Sequence, residues 1–237
     1  MKIAVIADVH SNIYALEAVV NDIKAKSVDL TVCVGDLVGY ATFPNEVINL
    51  IRRENILTVM GNYDDAVGNI RIVCGCDYPD PKDAENAARS LQWSVKNTTD
   101  ENRKFLANLP KKMTLTFEGK TITFVHGSPR MLTEYLKQDS QEAKEVMEEF
   151  TEDILVCGHT HKPYYKMYKD KMLVNSGSVG KSKTGSPDAN YVIIDIEEDD
   201  VKVDIVEVSY DFEKTAKAIE ESVLPNEFAE IIRTGRA

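Results

Sequence analysis

The chain lacks any long apolar segment. Although 43% of its 237 residues are hydrophobic, no run approaches the roughly 18 apolar residues that a membrane-spanning helix needs. The apolar run at the amino terminus, Ile3 to Ala7, is too short for a signal peptide and is followed at once by Asp8. We therefore expect a cytoplasmic protein with no membrane partner.

Positive charge is also scarce. The sequence has 28 Lys and Arg residues against 39 Asp and Glu residues, a net charge of −11. A protein that binds long nucleic acids by their phosphates needs a basic face, and no Lys/Arg cluster longer than a pair is present. We expect a small phosphorylated substrate instead, nucleotides included, at a site with its own positive charge. The sequence sets no oligomeric state.

Cysteine is limited to four residues. Cys33 and Cys157 lie inside apolar, strand-like runs, which predicts buried thiols. The Cys74-Gly75-Cys76 stretch has no second cysteine pair and no histidine nearby, which disfavours a zinc knuckle. All four are compatible with a reduced, cytoplasmic protein.

The first sixty residues alternate between apolar runs and helical patterns. Strands are predicted at Lys2–Ala7, Leu30–Val34 and Ile56–Met60. A helix capped by Asn12 and a second helix with Pro44 in its first turn separate them. This alternation predicts an α/β fold with parallel strands and crossover helices.

The whole chain, residues 1–237, is predicted to form one domain. Residues 66–110 form a helical excursion, which is either a cap over the site, involving Trp93 and the Asn86–Arg89 face, or simple packing. Short strands joined by turns predict antiparallel pairing toward the carboxyl end. The predicted later elements are helices at about 83–96, 100–109 and 141–150, strands at 113–117, 121–125, 154–157, 164–168, 172–175, 191–196 and 201–209, and two helices within 211–235 split at Pro225.

All four histidines follow predicted strands. His10 comes after the first strand, His126 after the strand ending at Val125, and His159 and His161 after Ile154–Cys157. A single histidine at a strand end is more often a hydrogen-bonded structural residue. Four at the edge where open α/β sheets bind ligands indicate a functional site.

Oxygen ligands occur at the same edge. Asp8 precedes His10 by two residues, Asp36 follows the second strand, and Asn62 follows the third. Each alone could be a turn or cap residue. Imidazole mixed with carboxylate or amide oxygen suits Mn²⁺, Fe²⁺ or Zn²⁺. Seven ligands exceed one ion, but with one carboxylate shared they make two four-ligand sites, the arrangement that clamps a phosphoryl group during in-line displacement.

These blocks resemble the calcineurin-like metallophosphoesterases, whose ordered motifs are D-x-H, G-D, G-N-H-D/E, a histidine before glycine, and G-H-x-H. Here they are Asp8-Val9-His10, Gly35-Asp36, Gly61-Asn62-Tyr63-Asp64, His126-Gly127 and Gly158-His159-Thr160-His161. The stretches H-G-S-P-R (126–130) and N-S-G-S-V-G (175–180) are similar to the small bacterial and archaeal branch. The resemblance implies a four-layer α/β/β/α sandwich of two mixed sheets.

The resemblance also implies how two divalent ions are held. One ion would be bound by Asp8, His10, Asp36 and His161, and the other by Asp36, Asn62, His126 and His159, with Asp36 as the bridge. Manganese is favoured among Mn, Fe, Zn, Ni and Co. Two such ions with two carboxylates leave the site positive enough to attract phosphate.

The implied activity is hydrolysis of phosphodiester or nucleotide phosphoanhydride bonds by a metal-bridging hydroxide. The alternatives are a phosphomonoesterase or protein phosphatase of the same fold, and a non-catalytic metal-binding scaffold. A scaffold should have gaps among its ligands, and none is seen. Within the motifs, Asn62, Tyr63 and Asp64 are the candidate catalytic residues, and Arg130, Lys181 and Lys183 are candidate phosphate contacts or else solvated surface charges.

One motif departs from the family. Tyr63 stands where the family usually has a histidine that is assigned as the general acid. With an ordinary pKa of about 10, a tyrosine is a weaker acid than imidazolium. Leaving groups that depart without a proton should therefore be preferred: aryl esters, nucleotide diesters and phosphoanhydrides. Alternatively, Tyr63 only packs at the rim.

Overall fold

Two five-stranded sheets form the centre of the computed structural model, which describes residues 1–78, 80–197 and 200–236. The strands are β1 (Lys2–Ile6), β2 (Leu30–Cys33), β3 (Leu57–Thr58), β4 (Lys112–Phe117), β5 (Lys120–Val125), β6 (Ile154–Cys157), β7 (Tyr164–Tyr168), β8 (Lys171–Asn175), β9 (Ala189–Glu197) and β10 (Asp200–Val208). The helices are α1 (Ile13–Ala25), α2 (Pro44–Arg53), α3 (Asn62–Gly68), α4 (Pro81–Asn97), α5 (Asp100–Ala107), α6 (Gln141–Glu149), α7 (Phe212–Glu220) and α8 (Glu227–Thr234).

Both sheets are mixed. The first has the order β10-β9-β1-β2-β3, with β1, β2 and β3 parallel and β9 antiparallel to both β1 and β10. The second has the order β4-β5-β6-β8-β7, with β5, β6 and β8 parallel and an antiparallel strand at each edge. The parallel strands of each sheet end at the same edge, as crossover connections require.

Alternating side chains of the strands divide the core into layers. In β1, Ile3 and Val5 belong to the cluster between the two sheets, whereas Ala4 and Ile6 pack against the helices. Phe124 and Val156 of the second sheet complete the central layer. Most helices cover the outer face of the first sheet, and α6 covers that of the second. The predicted four-layer α/β/β/α sandwich is confirmed.

The Asn12 cap and Pro44, from which the first two helices were predicted, both occupy the helix starts in the structure. The Asn12 side chain accepts a hydrogen bond from the Ala15 amide at 3.2 Å, and α2 begins at Pro44. Among the helices that the structure describes, none has the length and apolar character needed to cross a membrane.

Three features differ from the sequence prediction. β3 is only Leu57–Thr58, because the Met60 amide donates to the Pro110 carbonyl instead of continuing the ladder. Asn62 begins a helix, α3, that the sequence pattern did not predict. β8 and β9 belong to different sheets, since the chain between them crosses the end of β1, where the Val179 amide donates to the Ala7 carbonyl.

Candidate metal centre

The seven predicted ligands meet where the parallel strands of both sheets end. They follow β1, β2, β5 and β6 or begin α3, and all seven are buried. Six of them form two groups whose ligand atoms lie within 4.8 Å of one another: Asp8, His10 and His161, and Asp36, His126 and His159. The grouping matches the division into two sites that the family resemblance implies.

In the first group, the Nε2 atoms of His10 and His161 and the Oδ1 of Asp8 face one another. The Nε2 atoms of His10 and His161 are 3.3 Å apart. Asp8 Oδ1 lies 3.3 Å from Nε2 of His161 and 3.7 Å from Nε2 of His10. Among the described residues, this buried oxygen has no hydrogen-bond partner. A buried carboxylate oxygen without a donor is costly, and a cation would satisfy it.

The second group is arranged around Nε2 of His126. This nitrogen lies 2.9 Å from Asn62 Oδ1, 3.1 Å from His159 Nδ1 and 3.5 Å from Asp36 Oδ2. The same Asp36 oxygen lies 3.8 Å from Nε2 of His10 in the first group. A single carboxylate oxygen therefore stands between the two sets of ligand atoms.

Backbone carbonyls fix the orientation of three imidazoles. Nδ1 of His10, His126 and His161 lies 3.0, 2.8 and 2.6 Å from the carbonyl oxygens of Val38, Val34 and Lys181, respectively. A carbonyl only accepts, so each Nδ1 carries the hydrogen and each Nε2 presents its lone pair to the site. This is the arrangement in which histidine ligates metals.

Burial shifts the charge states toward neutrality. It raises the pKa of Asp8 to about 7 and raises the pKa of Asp36 well above its ordinary value. It also lowers the pKa values of His10, His159 and His161 well below the usual range. His10, His159 and His161 are thus neutral, with lone pairs available to a metal, and binding of a cation would favour the ionised form of both carboxylates.

The ligand-bearing backbone is strained. Five of the seven ligands, all non-glycine, have left-handed φ values: Asp8 51°, His10 48°, Asp36 58°, His159 64° and His161 59°. Such conformations are disfavoured for residues with a Cβ and concentrate at functional sites. Neighbouring loops hold them in place: the Asp8 amide donates to the Gly35 carbonyl, and the His159 amide to Asp8 Oδ2, each at 2.9 Å.

Two glycines allow the loops after β2 and β3 to nest. A Cβ on Gly61 would overlap the amide and the carboxylate of Asp36, and a Cβ on Gly35, whose φ is +96°, would overlap the Gly61 backbone. Only the smallest residue fits this approach. The position of the Asp36 carboxylate therefore depends on the two glycines.

Asp64 is absent from the described residues that line the cavity, and a catalytic role for it stays a prediction. Its carboxylate accepts hydrogen bonds from the amides of Asp36 and Leu37, each at 2.8 Å, and of Gly61 at 2.9 Å. It therefore fixes the loop that carries Asp36 to the start of α3. Asp64 is a positioning residue.

Tyr63 lies next to the first group and is fully buried. Its ring centroid is 5.6 Å from that of His10 and 4.8 Å from that of Tyr40, and its amide donates to Asp36 Oδ1 at 2.8 Å. Burial raises the pKa of the hydroxyl well above 10, so Tyr63 keeps its proton. Its role as a proton donor remains a prediction.

Of the three residues predicted to contact phosphate, two line the cavity. Lys181 and Lys183 line the cavity beside the ligands. The Nζ of Lys181 lies 4.3 Å from the centroid of the Tyr40 ring, and burial lowers its pKa to about 7. Arg130 is absent from the described lining residues. Its Nε donates to Glu134 Oε2 at 3.2 Å, and a contact between Arg130 and substrate stays a prediction.

A cavity of about 280 Å³ opens beside the ligands. Four tyrosines line it, and only Tyr63 was singled out from the sequence; the others are Tyr40, Tyr78 and Tyr135. Tyr135 stacks on His159 with 4.0 Å between ring centroids. Tyr40 could have been found, because it follows Asp36 in the same loop, whereas Tyr78 and Tyr135 lie in segments without a pattern.

A second cavity, of about 510 Å³, adjoins the first. The two share Asp77, Tyr135 and Lys183 in their walls. The second also contains Lys137 and Lys162, so cationic side chains continue away from the ligand cluster.

Comparison with known proteins agrees with this geometry. The calcineurin-like phosphoesterase superfamily domain matches residues 1–199. An uncharacterised protein of Methanocaldococcus jannaschii is 37% identical over 252 aligned residues, covering 99% of this chain and 98% of that one.

Solved structures share the fold. A metallophosphoesterase from Sphaerobacter thermophilus has a TM-score of 0.81 at 28% identity, covering 99% of this chain and 100% of that one. A hypothetical protein from Pyrococcus horikoshii OT3 has a TM-score of 0.84 at 23% identity, covering 100% and 99%. With the family match over most of its length, the chain belongs to the calcineurin-like phosphoesterase superfamily.

Proposed function

We propose that this protein is a dimetal phosphoesterase that hydrolyses phosphodiesters or nucleotide phosphoanhydrides. The observation that carries the proposal is Asp36 Oδ2, which lies 3.8 Å from His10 Nε2 and 3.5 Å from His126 Nε2, between the two ligand groups. One ion would be held by Asp8, His10, Asp36 and His161, and the other by Asp36, Asn62, His126 and His159. We favour manganese, with Fe, Zn, Ni or Co as alternatives.

The bound ions would polarise the phosphoryl oxygens and lower the pKa of water. The protein's own side chains would do the rest. Lys181 and Lys183 would contact phosphate oxygens, because both line the cavity and no carboxylate pairs with them among the described ion pairs. Asn62, from the first turn of α3, would orient substrate as well as complete the second ligand set.

The cavity walls support a diester or anhydride over a small alkyl monoester. The partly exposed rings of Tyr78 and Tyr135 offer surfaces on which an aromatic leaving group or a nucleobase could stack. The adjoining cavity, with Lys137, Lys162 and Lys183, offers space for a second substituent or a further phosphate. A substrate with groups on both sides of one phosphorus would use both spaces.

We further propose that the segment before α4 forms the cap expected within residues 66–110. Cys76, Asp77 and Tyr78 line the main cavity together with Asp83 of α4. Trp93 packs against the hydrophobic core instead, and Asn86 is buried. The overhanging part of the proposed cap would therefore be the loop before α4, and the Asn86–Arg89 face is absent from the described lining of the main cavity.

Metal analysis combined with a substrate panel tests the proposal. Purified protein, stripped and then reloaded with Mn²⁺, should bind two ions per chain. It should hydrolyse aryl phosphodiesters and dinucleoside polyphosphates faster than alkyl monoesters. A preference for monoesters would support the phosphomonoesterase alternative, and a fully loaded protein inert toward the whole panel would leave only the scaffold.

Asp36→Asn tests the bridge. Loss of one shared anionic oxygen should reduce bound metal from two ions per chain and lower kcat by more than about 100-fold, since outer-shell changes alone cost roughly 10–100-fold. Asp195→Asn, a surface carboxylate 3.9 Å from Lys2, is the matched control. Full metal content and activity in Asp36→Asn would refute the bridging role.

A further inference from the structure

The Cys74-Gly75-Cys76 segment brings two thiols together beside the ligand cluster. The two Sγ atoms are 3.1 Å apart, and both residues are half-buried. Gly75 between them has a φ of +80°, a left-handed conformation that suits glycine. Cys76 lines the main cavity, so small solutes that enter the cavity reach its sulfur.

The same segment orients a ligand of the second ion. Nδ2 of Asn62 donates to the Cys74 carbonyl at 3.2 Å and to Cys76 Sγ at 3.1 Å. These two contacts turn the amide so that its Oδ1 faces Nε2 of His126 at 2.9 Å. Cys76 is therefore a positioning residue for Asn62, and a change at its sulfur is transmitted to the ligand set.

We propose that Cys74 and Cys76 form a reversible disulfide that weakens the second metal site. Bond formation needs the sulfurs to approach by about 1 Å, from 3.1 Å to bonding distance. That movement withdraws the Cys76 acceptor from the Asn62 amide. The effect on metal rests on the proposed function, whereas the disulfide itself does not.

A peroxide is a sufficient oxidant. One cysteine sulfur attacks the O–O bond of hydrogen peroxide, giving a sulfenic acid and one water. The second sulfur then attacks the sulfenic sulfur, the S–S bond forms, the S–O bond breaks, and the hydroxyl leaves with a proton as a second water. Two electrons pass from the two thiols to the peroxide, and a dithiol reductant reverses the modification by thiol–disulfide exchange.

The other two cysteines act as internal controls. Cys33 and Cys157 are both fully buried and belong to strands of different sheets, β2 and β6. Neither lines the main cavity among the described residues. Oxidation of the folded protein should therefore spare them.

Mass spectrometry of the full chain tests the linkage. Protein treated with hydrogen peroxide, alkylated and digested with trypsin should yield the 72–82 peptide lighter by two hydrogen atoms and free of alkyl groups. Dithiothreitol should restore two alkylation sites, and Cys33 and Cys157 should be alkylated only after unfolding. A sulfinic acid on the peptide, a link between two chains, or no reaction would overturn the proposal.

Metal titration tests the consequence. The oxidised protein should bind one of its two Mn²⁺ ions about 10-fold more weakly than the reduced protein, the lower end of the cost of disturbing an outer-shell partner. Cys74→Ser cannot form the disulfide and leaves the Asn62 acceptor at Cys76 in place, so without peroxide it should bind Mn²⁺ as tightly as the reduced protein. Unchanged affinity after complete disulfide formation would refute the coupling to Asn62. Neither readout uses a phosphate ester, so failure of the proposed activity would be seen separately.

Discussion

Tyr63 stands where the resemblance to the calcineurin-like family implies a histidine that would protonate a leaving group. Its raised pKa follows from burial among the Tyr40 and His10 rings. We expect Tyr63→His to increase kcat/KM for alkyl monoesters about 100-fold, the lower range for a positioned general acid, with a much smaller change for aryl diesters. The ratio of the two rate constants is the measurement.

Tyr63→Phe separates this explanation from direct catalysis by the phenol. Because Tyr63 holds its proton tightly, removal of the hydroxyl should cost far less than the gain from histidine. If Tyr63→Phe instead abolished turnover of alkyl esters, with metal content unchanged, the tyrosine itself would be the proton donor.

The Asp8 carboxyl makes metal binding depend on pH. Its pKa of about 7 means that most of the metal-free protein carries a proton there at pH 6 and little does at pH 8. A cation must displace that proton, so affinity should be about 10-fold weaker at pH 6 than at pH 8 for this group alone. Titration calorimetry in buffers of different ionisation enthalpy would measure the proton released, and equal affinities at the two pH values would contradict the prediction.

At the scale of elements, the Asp64 carboxylate joins α3 to the loop after β2. It accepts three backbone hydrogen bonds, from Asp36, Leu37 and Gly61. Asp64→Asn removes the charge and one acceptor, which should lower the free energy of unfolding by about 1.5–3 kcal/mol. Urea denaturation would measure the loss.

The neighbouring residue provides a control. Asp65 lies on the same helix, α3, and forms an ion pair with Arg71. The Arg71 side chain is mostly exposed, so Asp65→Asn removes a mostly exposed ion pair. Exposed ion pairs contribute at most about 1 kcal/mol. Equal destabilisation by both variants would show that the Asp64 hydrogen bonds have no special role.

Elements with strong local signals could be predicted from sequence. Ile154–Cys157 has the predicted bounds because its apolar run lies between Asp153 and Gly158, and α2 begins at the predicted Pro44. α3 was missed, although Asp64 at its third position is a capping signal. The separation of β8 from β9 depends on contacts with β1 that are distant in sequence.

The convergence of the seven candidate ligands could be predicted because six lie in loops that follow buried strands and Asn62 begins the helix after the third strand. Their roles as metal ligands stay predictions. The cavity wall could not be predicted, because Tyr78 and Tyr135 reach it through irregular segments whose paths depend on tertiary packing. The pairing of Arg130 shows the same limit: its motif is close to His126 in sequence, but the sequence did not predict its hydrogen bond to Glu134.

At the scale of the whole molecule, the candidate metal centre connects the two sheets. Asp8 and Asp36 follow strands of the first sheet, and His126, His159 and His161 follow strands of the second. Ions bound there would oppose separation of the layers. Chelation should therefore lower the free energy of unfolding by about 4 kcal/mol relative to protein in Mn²⁺ at 1,000 times its dissociation constant.

Urea unfolding with and without a chelator would measure this difference. The Asp36→Asn variant serves as the control, because its curve should shift much less when Mn²⁺ is removed. Superimposable curves for the unmodified protein would mean that the ions do not stabilise the sandwich.

The nested glycines have a consequence for redesign. The seven candidate ligand residues can be varied in redesign, since carboxylate, amide and imidazole can be exchanged to suit another cation. Gly35 and Gly61 cannot be exchanged in this way, because a Cβ on either glycine would overlap the backbone of the other loop. Libraries that seek new metal specificity should vary the donors and leave these two empty spaces untouched.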